Sequence, residues 1–156
     1  MLELAGANAI ELAEAADIVT NTMNMFQLQV EDLNKVNDVL SATCANSATN
    51  ITDLYEAMKY AGSTANLFGI SLEETSAALG VLANMGIKGS DAGTALRSML
   101  LRLAAPTTKA AEVLKEYGLE IDQTTIKMDG LEKTIKKLYD SGIGNDVAAL
   151  QVLFGK

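Results

Sequence analysis

The sequence contains no histidine and only one cysteine among its 156 residues. These two shortages exclude the common zinc sites and the histidine-based catalytic triads, because neither the ligands nor the proton carrier are present. A single cysteine also excludes an internal disulfide, so Cys44 is expected to pack as a small apolar side chain in a reducing compartment. Aromatic residues make up 4% of the chain while hydrophobic residues make up 49%. Alanine supplies much of the difference, which favours closely packed helices over a sheet. No apolar run approaches the roughly 18 residues of a membrane span, and no charged-then-apolar leader is present, so no membrane span is expected. The expected fold is all-α, one compact helical domain over residues 1–156 with about seven or eight helices.

The net charge of -8 is unevenly distributed. Residues up to Gly86 carry a balance of -9, and those from Ile87 onward a balance of +1. Either the acidic faces simply keep the chain in solution, or oppositely charged halves attract within one molecule or between copies. No basic stripe with interleaved aromatics occurs, so direct binding of nucleic acid by this segment is not expected.

The densest pattern is MGIKGSDAGTALRSMLLRLAAP, from Met85 to Pro106. Gly86 follows an apolar run at the place where a helix closes with a left-handed residue. Ser90 is expected to cap the next helix, with Asp91 beside the positive end of its dipole. Ala92, Leu96, Met99 and Leu103 then recur on one face, and Leu101 falls opposite. Apolar residues on two sides predict that this helix is the central one, buried between neighbours. Gly93 costs roughly 1 kcal/mol relative to alanine in a helix, which points to another backbone crossing there. Pro106 ends the unit.

The flanking sequence predicts further helices. The first runs from Leu2 to about Phe26, with Ala5, Ala9, Leu12, Ala16, Val19, Met23 and Phe26 on its inner face and Glu3 across from it. Ile10 and Ile18 lie toward its polar side, as scattered exposed residues or as a second contact surface. Asn50 caps a helix bearing Leu54, Met58 and Ala61, and Ser71 with Glu74 forms a capping box for the next. ANLFGISLEETSAAL and ANMGIKGSDAGTAL resemble each other, as a repeated helix, glycine turn and helix. Thr107 or Thr108 caps a helix that closes at Gly118. LEIDQTTIKM alternates like an extended segment, which either forms a short hairpin near residues 119–128 or lies along the helices. Asp129 with Glu132 is expected to cap a helix bearing Leu131 and Ile135, and a last one begins at Val147. That abrupt ending suggests a piece of a longer protein.

Candidate chemistry is sparse. GSDAGT lacks the lysine of a phosphate-binding loop, and no strand precedes it. Glu31 with Asp32 and Glu73 with Glu74 are carboxylate pairs. However, adjacent residues on a helix point about a hundred degrees apart, so neither pair converges on one sugar. No cofactor, metal site or catalytic residue is predicted. Arg97 and Arg102 stand among apolar neighbours, either reaching to solvent or, with Leu101, contacting a partner.

The run MGIKGSDAGTALRSMLLRLAAPT resembles the signature segment of tailed-phage tail tape-measure proteins. LFGISLEETSAALGVLANMG, DVLSATCANSATNITDLYEAM, YGLEIDQ and MDGLEKTIKKL resemble flanking parts of that family's conserved N-terminal region. By this resemblance Gly86, Gly89, Ser90, Gly93, Leu96, Leu103 and Pro106 are structural positions of the motif. It implies a structural protein of the virion tail, assembled in the bacterial host cytoplasm, that sets tail length and takes part in genome delivery. Tail, baseplate or tail-assembly chaperone proteins would be its partners, alongside self-association. The long heptads of a measuring rod are absent here, which leaves a protein-binding end or assembly platform. The competing readings are a peptidoglycan-cleaving tail enzyme and a cytosolic helical adaptor unrelated to phage.

Overall fold

A computed structural model of the protein describes Gly6 and residues 11–155. The described residues form eight α-helices and two 3-10 turns, with no strand among them. The helices are α1 (Leu12–Met25), α2 (Leu33–Asn46), α3 (Ile51–Leu67), α4 (Leu72–Asn84), α5 (Gly89–Ala104), α6 (Thr108–Glu116), α7 (Gln123–Asp140) and α8 (Val147–Phe154). Apart from Gly6, the expected Leu2–Ile10 portion of the first helix, with Glu3, Ala5, Ala9 and Ile10, lies outside the described residues.

The buried face of α1 is rotated from the expected one. Ala15, Ile18, Val19, Thr22 and Met23 point inward, so Ile18 is 2% exposed whereas Leu12 is 47% exposed. Placing Ile18 toward solvent was therefore incorrect. The alanines leave the apolar stripe broad, and the larger side chain takes the core position because it removes more apolar surface from water.

The hub of the fold is α3, not α5. Ile51, Leu54, Ala57, Met58, Ala61, Gly62 and Ala65 are all buried along it, and it packs against α1, α2, α4 and α5. By contrast α5 is one-sided. Ala92, Gly93, Leu96, Leu100 and Leu103 face inward, while Arg97, Ser98, Leu101 and Arg102 are exposed. A lone outward leucine is ordinary on a protein surface and does not by itself signal a second buried face.

Each turn that closes onto this core has a local cause. Gly69 and Gly86 take φ of 72° and 86°, and the following amides of Ile70 and Ile87 bond back to Ala65 and Leu82 at 3.0 and 2.9 Å. The two resembling segments thus share one helix ending, in which a left-handed glycine lets carbonyls of the last turn find donors. After the first ending, the Ser71 hydroxyl accepts from the Glu74 amide at 3.1 Å. After the second, the position matching Ser71 is Lys88, and α5 starts at Gly89 with no side-chain cap. Ser90 sits inside the first turn, too late to serve as the expected cap.

These turns reverse the chain each time. Lys35 meets Glu73 near the starts of α2 and α4, and the Ala48 amide bonds to Asn84 near their ends, so those two helices run in the same direction. The same holds for α3 and α5, since Gly89 lies beside Asp53 and Gly93 beside Ala57.

The last third completes the core. The Thr107 hydroxyl, rather than that of Thr108, caps α6 by accepting from Ala110. Of the two alternatives for residues 119–128, the hairpin does not form: the Asp122 carboxylate accepts from the Thr125 amide and the Thr125 hydroxyl from the Asp122 amide, both at 2.8 Å. That reciprocal pair starts α7 at Gln123, so Ile121 and Ile126 are both buried without any strand pairing. The β-branched run Thr124, Thr125, Ile126 imitates strand composition, but burial and the cap override that preference.

Candidate functional site

The sequence motif folds into a helix with two different flanks around a fixed inner face. Gly93 supplies the fixed point. A Cβ there would lie 2.2 Å from the Ala57 carbonyl oxygen, closer than any side-chain carbon can approach, so the α3 and α5 backbones touch. Leu96 and Leu103 extend this inner face, at 3% and 1% exposure. Gly89, with φ of 55°, and exposed Ser90 lie at the start of the helix, and half-buried Pro106 follows its end.

Arg97 and Leu101 sit one turn apart on one flank of α5, both exposed, with Leu101 at 44%. At a hundred degrees per residue, Arg102 emerges on the other flank with Ala95, Ser98 and Met99. These four line a groove of about 310 Å³ with Phe154 of α8. The three candidate contact residues therefore form two surfaces. Neither arginine makes an ion pair with an acid among the described residues.

The carboxylate pairs have structural partners. The Asp32 carboxylate accepts from the Gln29 amide at 3.0 Å, and Glu73 pairs with Lys35 at 2.8 Å. Glu74 does more than close its own capping box. One oxygen accepts from the Ser71 amide at 3.3 Å, and the other accepts from the Leu131 amide at 2.9 Å, 57 residues away in sequence. At Gly130, with φ of 77° and ψ of 177°, the α7 backbone breaks, which leaves the first amides of its second half without helical acceptors. Glu74 of α4 occupies that position, so a residue of another helix performs the capping expected of Asp129 and Glu132. Asp129 instead pairs with Lys137. The sequence carries one trace of this link, Gly130, because a Cβ there would lie 2.6 Å from Glu74 Oε1.

The remaining polar contacts are also structural. The Tyr117 hydroxyl donates to Asp146 at 2.7 Å, while the other Asp146 oxygen accepts from the Ala148 and Ala149 amides. The tyrosine hydrogen bond and then these amides hold the Asp146 carboxyl below its ordinary value. Burial raises the Cys44 thiol to about 11, so it stays protonated and unreactive near neutrality. No group of three or more metal-ligating side chains occurs among the described residues, and none of the described helices is long and apolar enough to cross a membrane.

A strongly apolar concavity lies outside every candidate contact site of the sequence. It is a groove of about 390 Å³ lined by Ala78, Val81 and Leu82 of α4, Ala95 and Met99 of α5, and Ile135 of α7. Its signal in the sequence is the absence of any charged residue between Glu74 and Lys88.

These features define an all-α fold, among the described residues, with exposed grooves on a closely packed helical frame. The chain belongs to the phage-related minor tail protein family, whose profile matches residues 1–155. It is 33% identical over 144 residues to the tape measure protein of Pneumococcus phage Dp-1, covering 92% of this chain and 12% of that protein. It is 32% identical over 161 aligned positions to the probable tape measure protein of Escherichia phage P2, covering 99% of this chain and 20% of that protein. The chain thus corresponds to a minor part of the length of these relatives. No solved structure matches it.

Proposed function

We propose that this chain is a folded, non-catalytic docking domain of a tail tape-measure protein, binding another tail component during assembly in the host cytoplasm. The whole protein would set tail length and act in genome delivery, with this domain as an assembly platform. One observation carries the docking role. Arg97 and Leu101 stand exposed side by side, one and two turns along α5 from Gly93, where that helix is held against the α3 backbone. A cation and an apolar side chain on one firmly packed helix together suit a protein partner, because guanidinium and aliphatic groups can both be desolvated in one contact. A tail, baseplate or assembly-chaperone protein with an acidic, partly apolar surface fits this flank, whereas nucleic acid would need a broader basic surface.

The double variant Arg97→Glu, Leu101→Glu tests this within the full-length tail protein. The expected outcome is an unchanged helical spectrum and melting temperature for the domain, together with at least about a hundredfold loss of infectious particles, in line with loss of an interface hot spot. Normal tails and normal titre from that variant would refute the docking role.

A further inference from the structure

We infer that residues 131–141, the second half of α7 and the residue after it, form a latched strap. The strap swings between two glycine joints, and the Glu74 carboxylate holds it down beside the apolar groove between α4 and α5. It uses neither Arg97 nor Leu101, so it stands or falls separately from the docking role. Gly130 and Gly142 bound the segment, each with φ of 77°, a region of backbone space that glycine enters and leaves without a side-chain clash. Beyond the joints the chain is fixed. Ile126 on one side and Ile143 on the other are each 1% exposed, and Lys127 lies against Gly69 in the turn between α3 and α4.

Between the joints little is buried. Of residues 131–140 only Leu131 and Thr134 are buried, with Leu138 half-buried, which puts the segment at the low end of local stability. The Thr134 hydroxyl donates to the Gly130 carbonyl at 2.7 Å, a bond within α7 that adds no hold on the rest of the fold. Lys137 pairs with Asp129 across the first joint, and a partly exposed ion pair contributes little. Among the described residues, the hydrogen bonds from this half-helix to another helix all go to Glu74. Its Oε1 accepts from the Leu131 amide at 2.9 Å and from the Glu132 amide at 3.5 Å. One turn further along each helix, Ile135 and Ala78 line the groove with Leu82 and Met99. The latch therefore engages at the first joint, and the apolar contact follows from it. Release of the carboxylate frees the first amides of the half-helix and lets Ile135 leave the groove. How much apolar surface the α4 and α5 flanks show thus depends on one side chain.

Alkylation by iodoacetamide tests this in the 156-residue chain, with Cys44→Ala removing the native thiol. Thr134→Cys reports on the strap and Ala110→Cys, in α6, on the whole domain; both positions are 3% exposed. A thiol uncovered by local opening reacts at a rate that urea below the unfolding transition barely changes, whereas one reached only by global unfolding reacts faster as urea rises. The expected Thr134→Cys rate is independent of urea and at least about tenfold above that of Ala110→Cys. Adding Glu74→Ala raises it about tenfold again, the scale of a hydrogen bond to a charged group. Glu74→Gln, which keeps an acceptor oxygen without the charge, gives an intermediate rate. Circular dichroism verifies that the variants remain helical. A Thr134→Cys rate that follows urea as Ala110→Cys does overturns the strap, because the segment then opens only with the domain. A urea-independent rate that Glu74→Ala leaves unchanged overturns the latch.

Discussion

A single methyl group added at Gly93 would lie 2.2 Å from the Ala57 carbonyl oxygen, so two helix backbones would have to separate to admit it. Gly93→Ala should destabilise the domain by about 3 kcal/mol, the upper range for overpacking. Thr94→Ala, on the exposed side, should change stability by less than about 0.5 kcal/mol; chemical denaturation of the two variants measures the contrast. The close approach at this position is legible in the sequence, because a glycine among good helix formers costs stability unless something needs the space. At Asp146 the prediction concerns acid. Its carboxyl is held below the ordinary 3.8, so its contribution is fully present above that value and is lost as pH falls through the lower, folded-state value. The stability difference between wild type and Asp146→Asn should therefore be constant near neutrality and shrink below pH 3.8, as read from acid titration of both proteins. Residue identity alone does not reveal the Tyr117 hydrogen bond behind this effect, since it spans 29 positions of sequence.

Among the helices, α7 is the one whose integrity is borrowed. Its second half begins at a backbone break and takes its cap from Glu74 on α4. Glu74→Ala should cost about 2 kcal/mol, the scale of hydrogen bonds to a charged group. Faster amide exchange should appear at Leu131 and Glu132 as well as at the start of α4. Exchange confined to α4 would mean that the second half of α7 holds its shape unaided. Local signals suffice where a helix is capped from within, as at Asn50 and Ser71, and those starts are readable from spacing. They mislead where the acceptor comes from elsewhere, at Asp129, and where a polar residue sits two positions too late, at Ser90. The short hairpin fails for a related reason, since Thr125 looks like a strand residue until its hydroxyl pairs reciprocally with Asp122.

At the scale of the molecule, the all-helical class follows from alanine-rich, aromatic-poor composition, because small side chains let helices approach closely. Which helix occupies the middle does not follow. Both α3 and α5 carry long apolar stripes, and only the packing of four neighbours around α3 distinguishes them. The charge imbalance between the halves is plain in the sequence, yet that the halves meet chiefly along α3 and α5 becomes visible only when the helices are assembled. The candidate surfaces divide in the same way. Arg97, Leu101 and Arg102 stand out as exposed residues on one helix, but the turn of that helix sends them to opposite flanks. The bond from Leu131 to Glu74, 57 residues upstream, also gives assembly a direction. A ribosome makes the carboxylate before the amides that need it, because synthesis runs from the N-terminus. The later helix thus meets a finished acceptor as it emerges, whereas a circularly permuted chain that began near Gly86 would have to hold those amides open until its final helices arrived.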